Sequence, residues 1–287
     1  MFKFIIIIFL IINFIDTNLN SKNIIKNNSK INYLNLYIIT HKDFNNFITN
    51  QNYKILCDDY YQLKKNYTLN VLNSKNKNEL FKKKIGYSEG SKIYFIWKKY
   101  KNNLIKSKFV GFNHYRRIFN FGNKIPNLNL IFKKYDVILN KRRILKYSIK
   151  KQYFNSHKRN DLDEILEIIK LKFPKYFPTA LKTMNSKRFF VNNIFIMKSE
   201  DFIEYGNFVF EILNEFDKKH NLISDENIKN FILKKKKIKY RIRYQRRLEG
   251  FLLERISNIF YNYHFKKILQ IKTKSFIKKL NNKKKYK

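Results

Sequence analysis

The stretch of sequence that decides the fold is KFVGFNHYRRIF, residues 108–119 of this 287-residue chain. Its apolar run FVGF predicts a short buried strand over 108–113. The four residues that follow the strand are polar, aromatic or charged: His114, Tyr115, Arg116 and Arg117. In an open parallel sheet, ligands bind at the carboxyl ends of the strands. Guanidinium groups offer fixed pairs of donors to phosphate oxygens, so the stretch predicts an anion site; solvated arginines at a polar strand end would explain it equally well.

Strands and helices alternate along the rest of the chain. Apolar, β-branched or aromatic runs predict further strands over 33–40, 135–139 and 190–198. Apolar residues at three- and four-residue spacing predict helices over 88–101, 160–172, 199–216 and 245–261. This alternation indicates an α/β architecture with a mostly parallel sheet flanked by helices.

Composition excludes several classes of protein. With 44% hydrophobic and 17% aromatic residues, the chain has enough apolar material for a core. The net charge of +41 invites a nucleic-acid interpretation. However, the enriched Lys, Asn, Ile, Phe and Tyr share A/T-rich codons and the lysines are spread along the chain, so nucleic acid is not a predicted partner. The single cysteine, Cys57, excludes an internal disulfide and a cysteine-based zinc site, and is interpreted as a packed residue. No P-loop, dinucleotide-binding glycine fingerprint or zinc-protease motif is present in the sequence.

The chain ends differ from its middle in composition. Residues 1–16 carry Lys3 and then about a dozen mostly apolar residues, the length of a signal-peptide core and short of the roughly 20 residues that span a bilayer. We expect a signal peptide or a short signal anchor there, a polar linker over 17–32, a folded domain over 33–265 and a basic tail over 266–287. Localisation in the secretory pathway or at a membrane follows from this expectation, with the cytoplasmic membrane face as the alternative.

Seven blocks of the sequence carry a resemblance to a known family. They are YIITHKDF (37–44), GYSEGSKIYFIWKKY (86–100), VGFNHYRRIF (110–119), YDVIL (135–139), QYFNSHKRNDL (152–162), NNIFIMKSEDFIEYGNFVFEIL (192–213) and YQRRLEGFLLERISNIFY (244–261). In order and spacing the chain resembles the family described as domain of unknown function 4422. Members of that family are assigned to sugar transfer in capsular and exopolysaccharide biosynthesis.

The resemblance implies a type A glycosyltransferase-like fold, a nucleotide-sugar donor and a glycan or lipid-linked acceptor. Many enzymes of that fold hold a divalent metal with an Asp-x-Asp motif, but this chain has the HYRR segment in the comparable place. We therefore expect Arg116 and Arg117 to neutralise the leaving diphosphate. A metal is allowed but not predicted, and no other cofactor is expected. The Asp-x-Asp spacing of Asp161 and Asp163 falls at a predicted helix start, where capping explains it better.

Further site candidates follow from the same resemblance. Thr40, His41 and Asp43 end the first strand, where a base and ribose would lie, or form an ordinary polar loop. Glu89 would orient an arginine or bind a sugar hydroxyl, or would only favour a helix start.

Three residues are catalytic candidates: His157, Asp161 and Glu254. His157 and Asp161 would contact the acceptor from a polar loop, with His157 as a general base. Glu254 is interpreted first as a salt-bridge partner of Arg255 and second as a general base.

Two other functions remain open at this stage. A glycan- or phosphate-binding module on the same fold would bind a nucleotide without turning it over. A basic nucleic-acid-binding protein would bind unrelated duplexes with steep salt dependence.

Overall fold

The computed structural model describes residues 32–43, 52–58, 71–75, 77–122, 124–157, 159–234 and 242–275. The chain divides into two compact units, Met1–Asn32 and Tyr33–Lys287. Apart from Asn32, the first unit lies outside the described residues, and with it the predicted signal segment and linker. Within the described part of the chain, no helix is both long and apolar enough to span a membrane.

A twisted mixed sheet forms the centre of the second unit. Its strands are β1 (Asn32–Ile39), β2 (Tyr53–Cys57), β3 (Val71–Asn73), β4 (Ser107–His114), β5 (Arg117–Phe119), β6 (Val137–Asn140), β9 (Phe195–Lys198), β10 (Ile268–Ile271) and β11 (Thr273–Ser275). Their order is β10-β6-β9-β4-β1-β2-β3, with β5 beside β4 and β11 beside β5. The β1–β2, β2–β3 and β6–β10 pairs are parallel, and β9 runs antiparallel to both β4 and β6. Two short strands, β7 (Arg143–Ile144) and β8 (Arg188–Phe189), form a separate antiparallel ribbon.

Helices cover the sheet and connect its strands. They are α1 (Lys84–Tyr87), α2 (Gly90–Lys101), α3 (Leu128–Lys134), α4 (Ile149–His157), α5 (Asp161–Lys172), α6 (Phe177–Asn185), α7 (Ser199–His220), α8 (Asp225–Lys234), α9 (Ile242–Gln245) and α10 (Leu248–His264). Short 3-10 turns lie at Glu79–Lys83 and Pro174–Tyr176.

Both faces of the sheet are buried, which explains why its strands are nearly continuous apolar runs. On one face, Tyr37 and Phe112 pack with side chains of α2, α7 and α10 in a large aromatic core. On the other face, Leu36 and Phe109 pack with residues of α3 in a smaller core. Successive strand residues point to opposite faces, so a single strand such as β1 supplies both cores.

Most predicted elements are present with shifted ends. The last predicted helix starts late, because Gln245 lies in the separate helix α9 and α10 begins at Leu248. The predicted basic tail also needs correction. Residues 268–275 form β10 and β11, because the apolar residues of ILQI pair in parallel with β6 and the next residues pair with β5. Sheet pairing between distant segments is not visible in the local, lysine-rich composition.

Candidate functional site

The carboxyl ends of β1 and β4 meet at one edge of the sheet. The backbone N–H of Tyr115, just past β4, donates to the carbonyl of Ile39 at 3.0 Å. The N–H of Thr40 donates to Leu56 of β2, also at 3.0 Å. Since these strand ends lie side by side, the polar residues that follow them line one space, as the sequence predicts for an open α/β sheet.

This space is a pocket of about 940 Å³, here called the anion pocket. Its cationic lining consists of Lys42, Lys84, Lys92, Arg116, Lys229, Arg243, Arg246 and Arg247, and its carboxylates are Asp58 and Glu89. Asp58 is ion-paired with Lys92, and Glu89 with Arg247. The remaining cations face the pocket without a lining carboxylate, so the pocket favours an anionic ligand.

A tight turn between β4 and β5 separates the two arginines of the HYRR segment. His114 and Arg117 form an antiparallel pair, and Tyr115 and Arg116 make the turn between them. Arg116 lines the anion pocket, with its guanidinium 5.4 Å from the centroid of the Tyr115 ring. Arg117 does not line the pocket and instead donates from Nη1 to the side-chain oxygen of Asn192 at 2.6 Å. Of the two arginines expected to face a diphosphate, only Arg116 lines the pocket.

His114 faces the anion pocket in a neutral form. Burial lowers the pKa of His114 to about 4; the Glu89 carboxylate opposes this shift, and the positive charge of Arg116 adds to it. The backbone N–H of Arg116 donates to Nδ1 of His114 at 3.2 Å, which places the proton of the neutral ring on Nε2. His114 can thus donate a hydrogen bond without adding a charge. The more exposed His41 also has a lowered pKa, from burial and then from Lys92 and Lys42.

Close packing of α10 positions the Glu89 carboxylate. A Cβ added at Gly250 would lie 3.0 Å from Cβ of Ser88 and 3.3 Å from the carbonyl oxygen of Tyr87, so a side chain here would push α10 slightly away from this turn. That approach brings Arg247 to Glu89, with Nη2 3.0 Å from Oε2, while Arg247 Nε donates to Ser88 Oγ at 3.0 Å. Burial raises the pKa of Glu89, but Arg247 and then His114 outweigh it and lower the pKa to about 2. Glu89 orients an arginine, one of the two roles expected for it.

The residues present at the HYRR position do not fit a divalent metal. Both lining carboxylates already pair with cations, and the positive charges of Arg116 and Arg117 act on His114. Among the described residues, no group of three His, Cys, Asp or Glu side chains could hold a metal ion. The cationic side chains themselves are placed to balance the charge of an anionic ligand.

His157 and Asp161 lie elsewhere, which corrects the prediction of a polar loop. His157 ends α4, is buried, and shares a 2.9 Å hydrogen bond from Nδ1 to the side-chain oxygen of Gln245. Burial lowers its pKa to about 3. Asp161 is fully buried and accepts from Arg159 Nε at 2.6 Å and from the Tyr153 hydroxyl at 2.7 Å. Neither lines the anion pocket; Asp161 is in a buried ion pair with Arg159, and the His157 ring packs against the Phe251 ring, with centroids 4.2 Å apart.

Glu254 does not line the anion pocket, but it is more exposed than Asp161 and His157. Its carboxylate accepts from the backbone N–H of Asn192 at 2.8 Å and pairs with Arg255 at 3.1 Å, and its side chain is 20% exposed. Burial raises the pKa of Glu254, Arg255 opposes the shift, and the charge of Glu89 adds to it. The predicted salt bridge with Arg255 is present, outside the lining of the anion pocket.

Of the three candidates that follow the first strand, two line the anion pocket and one does not. Thr40 and His41 line the anion pocket, whereas half-buried Asp43 does not. Sequence reasoning missed Lys92, Arg246 and Arg247 as pocket residues. Lys92 lies in the GYSEGSK block and the arginines in the YQRR block. The Arg246-Arg247 pair resembles the Arg116-Arg117 pair, and this likeness was a signal for a second cationic segment. Nothing in the neighbouring sequence shows that the pair faces the end of the first strand.

Fold and site together define a mixed α/β protein with a cationic pocket at the carboxyl edge of its sheet. The chain belongs to the family described as Domain of unknown function (DUF4422), whose family model matches residues 35–266. The predicted resemblance is therefore confirmed. Among curated proteins, none matches the sequence.

One solved structure supports the predicted type A glycosyltransferase-like fold, and two others are more distant. The WbbM bifunctional glycosyltransferase in its apo form is 18% identical, with a TM-score of 0.63 over 86% of this chain; the chain spans only 46% of WbbM. Core-mannan synthase A of Aspergillus fumigatus, in an Mn/GDP form, is 10% identical over 81% of this chain and 70% of its own, with a TM-score of 0.34. The mannosyltransferase Ktr4p from S. cerevisiae is 13% identical over 66% of this chain and 61% of its own, with a TM-score of 0.31.

Proposed function

We propose that the protein is a glycosyltransferase that transfers a sugar from a nucleoside-diphosphate sugar to a glycan or lipid-linked acceptor. One observation carries the proposal. Cations line the anion pocket at the carboxyl ends of β1 and β4, and the two carboxylates among its described lining residues, Asp58 and Glu89, are already paired with Lys92 and Arg247. A nucleoside diphosphate is an anion of matching size for a pocket of this volume.

In the proposed reaction, an acceptor hydroxyl attacks the anomeric carbon of the donor and the bond to the diphosphate oxygen breaks. Negative charge then develops on the leaving diphosphate. Arg116 and Arg246, held in the pocket wall, stabilise that charge, and the Nε2–H of His114 adds a neutral donor. Because the cations are in place before the reaction, no metal is needed in this proposal.

The hydroxyl proton needs an acceptor. Glu89 is a poor base because its pKa is about 2 and Arg247 holds it. Glu254 is better matched, because burial raises its pKa and a base works best with a pKa near the working pH. We assign the general base to Glu254.

Calorimetry and donor turnover on the full chain test the proposal. UDP, GDP and CMP would be titrated in EDTA and again with manganese, and release of UDP, GDP or CMP from the matching sugar donors would be followed. We expect one nucleotide to bind in EDTA and its donor to turn over there. Binding without turnover of any donor would favour the glycan- or phosphate-binding module. Activity that is lost in EDTA and restored by manganese would refute the metal-free mechanism.

Localisation and membrane association stay predictions, because the amino-terminal segment on which they depend lies outside the described residues. Fractionation of cells that produce the full chain and a variant with Lys3→Glu would test them. A chain that stays in the soluble fraction would contradict the signal anchor.

A further inference from the structure

A second polar cavity, of about 320 Å³, lies at the same edge of the sheet as the anion pocket. We call it the Arg142 cavity. Arg142 follows the carboxyl end of β6, and β6 and β4 run in the same direction because both are antiparallel to β9. The cations that line the cavity are Arg142, Lys182 and Arg188, and no carboxylate of the described residues lines it. Within the described part of the chain, no ion pair involves any of the three.

Two of these cations are held close together. The guanidinium of Arg142 lies 4.4 Å from the centroid of the Phe190 ring, and its backbone N–H donates to the Gln270 side chain at 3.0 Å. Arg188 reaches the same cavity from the paired strand β8, where it lies opposite Ile144. Burial and then the charge of Arg188 lower the pKa of Arg142. Like charges held side by side repel each other, and an anion bound between them would relieve that repulsion.

Neutral donors complete the lining. Thr179, Thr183 and Asn262 face the cavity from α6 and α10. The Thr183 hydroxyl accepts from the Asn262 side chain at 3.0 Å, so its own hydrogen is available for a ligand oxygen. Forked guanidinium donors beside hydroxyl groups suit a phosphate or a carboxylate attached to a sugar.

In the proposed reaction the donor fills the anion pocket, which leaves the Arg142 cavity, at the same edge of the sheet, for the acceptor. Arg143, the neighbour of Arg142, is close enough to Arg117 to lower its pKa, after the effect of burial and together with Arg116. The charge of Glu254, the proposed base, acts on Arg117 as well. The end of β4 at the anion pocket and the end of β6 at the Arg142 cavity lie at the same edge of the sheet, which carries the placement.

We propose that the Arg142 cavity binds an anionic group, a phosphate or a carboxylate, carried by the acceptor. This assignment rests on the proposed sugar transfer. It makes acidic acceptors the preferred class: either a lipid-linked diphosphate or a glycan that contains a uronic acid.

The test uses two probes on the full chain, with saturating nucleotide present so that the anion pocket is filled. Geranyl diphosphate represents the lipid diphosphate, and trigalacturonate represents the acidic glycan. The variant Arg142→Ala/Arg188→Ala removes two charges from the cavity. The matched control, Lys141→Ala/Lys187→Ala, removes two charges from the adjacent residues, which do not line it. Arg188→Ala alone changes an exposed residue, so it keeps the test possible if the double variant fails to fold.

We expect one probe to bind, and its identity separates the two sources of the anion. The cavity variant should weaken that probe at least about tenfold, since two charge-assisted contacts are lost. The control should change its affinity by less than about twofold, as is usual for exposed charges. Nucleotide affinity, measured separately, should be equal in all variants and tests the donor proposal independently. Failure of both probes to bind, or equal weakening in the cavity and control variants, would overturn the inference.

Discussion

Arg116 and Arg117 are adjacent and chemically identical, yet the structure gives them different surroundings. Arg116 lines the anion pocket, and Arg117 is turned toward Asn192. Each alanine variant removes one positive charge from the same turn. Each is therefore a matched control for the other, and only a direct contact with the nucleotide separates them.

The expected losses of affinity differ by about fivefold or more. A hydrogen bond to a charged group contributes about 1.5–3 kcal/mol, so Arg116→Ala should weaken nucleotide binding roughly 10- to 150-fold. Arg117 acts only through its charge. Two unit charges about 10 Å apart in water interact by about 0.4 kcal/mol, and roughly a third of that survives at 0.1 M salt. Even for a diphosphate, Arg117→Ala should change the affinity by about twofold or less.

Calorimetry of the bound nucleotide, in EDTA at 0.1 M salt, measures both effects. Thermal unfolding of the two variants checks that each still folds, and Arg116→Lys, which keeps the charge but loses the forked donors, should fall between wild type and Arg116→Ala. The reasoning is refuted if Arg117→Ala weakens binding as much as Arg116→Ala does. An Arg116→Ala effect below about threefold would equally contradict a direct contact, since it would lie outside the range for a lost charged hydrogen bond.

Three further predictions concern the proposed base, a buried acid and core packing. Glu254→Gln should lower kcat by about 100-fold or more while nucleotide Kd stays unchanged, because only proton transfer is lost; a parallel loss of both would assign Glu254 to binding. Burial and then Asp217 raise the pKa of Glu249 well above its ordinary value. The stabilisation from its protonated form is therefore complete below about pH 4.3, the pKa in the unfolded chain, and is lost as the pH rises through the pKa in the folded chain. The Tm difference between Glu249→Gln and wild type should therefore grow in favour of the variant from pH 5 to pH 8, and a constant difference would contradict the shift. A Cβ added at Gly206 would lie 2.0 Å from Cδ1 of Trp97, so Gly206→Ala should cost about 3 kcal/mol, or roughly 6–12 °C in Tm, whereas exposed Asn207→Ala should leave Tm nearly unchanged.

Elements whose information is local could be predicted from the sequence. The runs that become β1, β4 and β9 are apolar because both sheet faces are covered, and the spacing of Ile93, Ile96 and Trp97 follows the buried face of α2. The position of the HYRR segment after β4 also follows from chain order alone. For this reason the α/β class could be predicted, and so could the strand end at which the cationic pocket lies.

Several site details could not be predicted, because they depend on which distant residues approach. His157 and Asp161 look like loop residues in sequence, but α9 and the buried Arg159 enclose them. Nothing near Glu89 indicates that Arg247 pairs with it across 158 positions. The pairing of residues 268–271 with β6 is hidden in the same way.

By itself, the sequence determined the layered α/β class, the strand end that carries the anion site, and the residue types available there. Hydrophobic periodicity and strand-end polarity are local properties, and one chain segment displays them completely. Tertiary structure alone decided which cations share the pocket, which of Arg116 and Arg117 faces it, and how Glu89 and Glu254 come to differ in pKa. Those outcomes depend on burial and on charge–charge distances, which exist only after segments far apart in sequence have packed together.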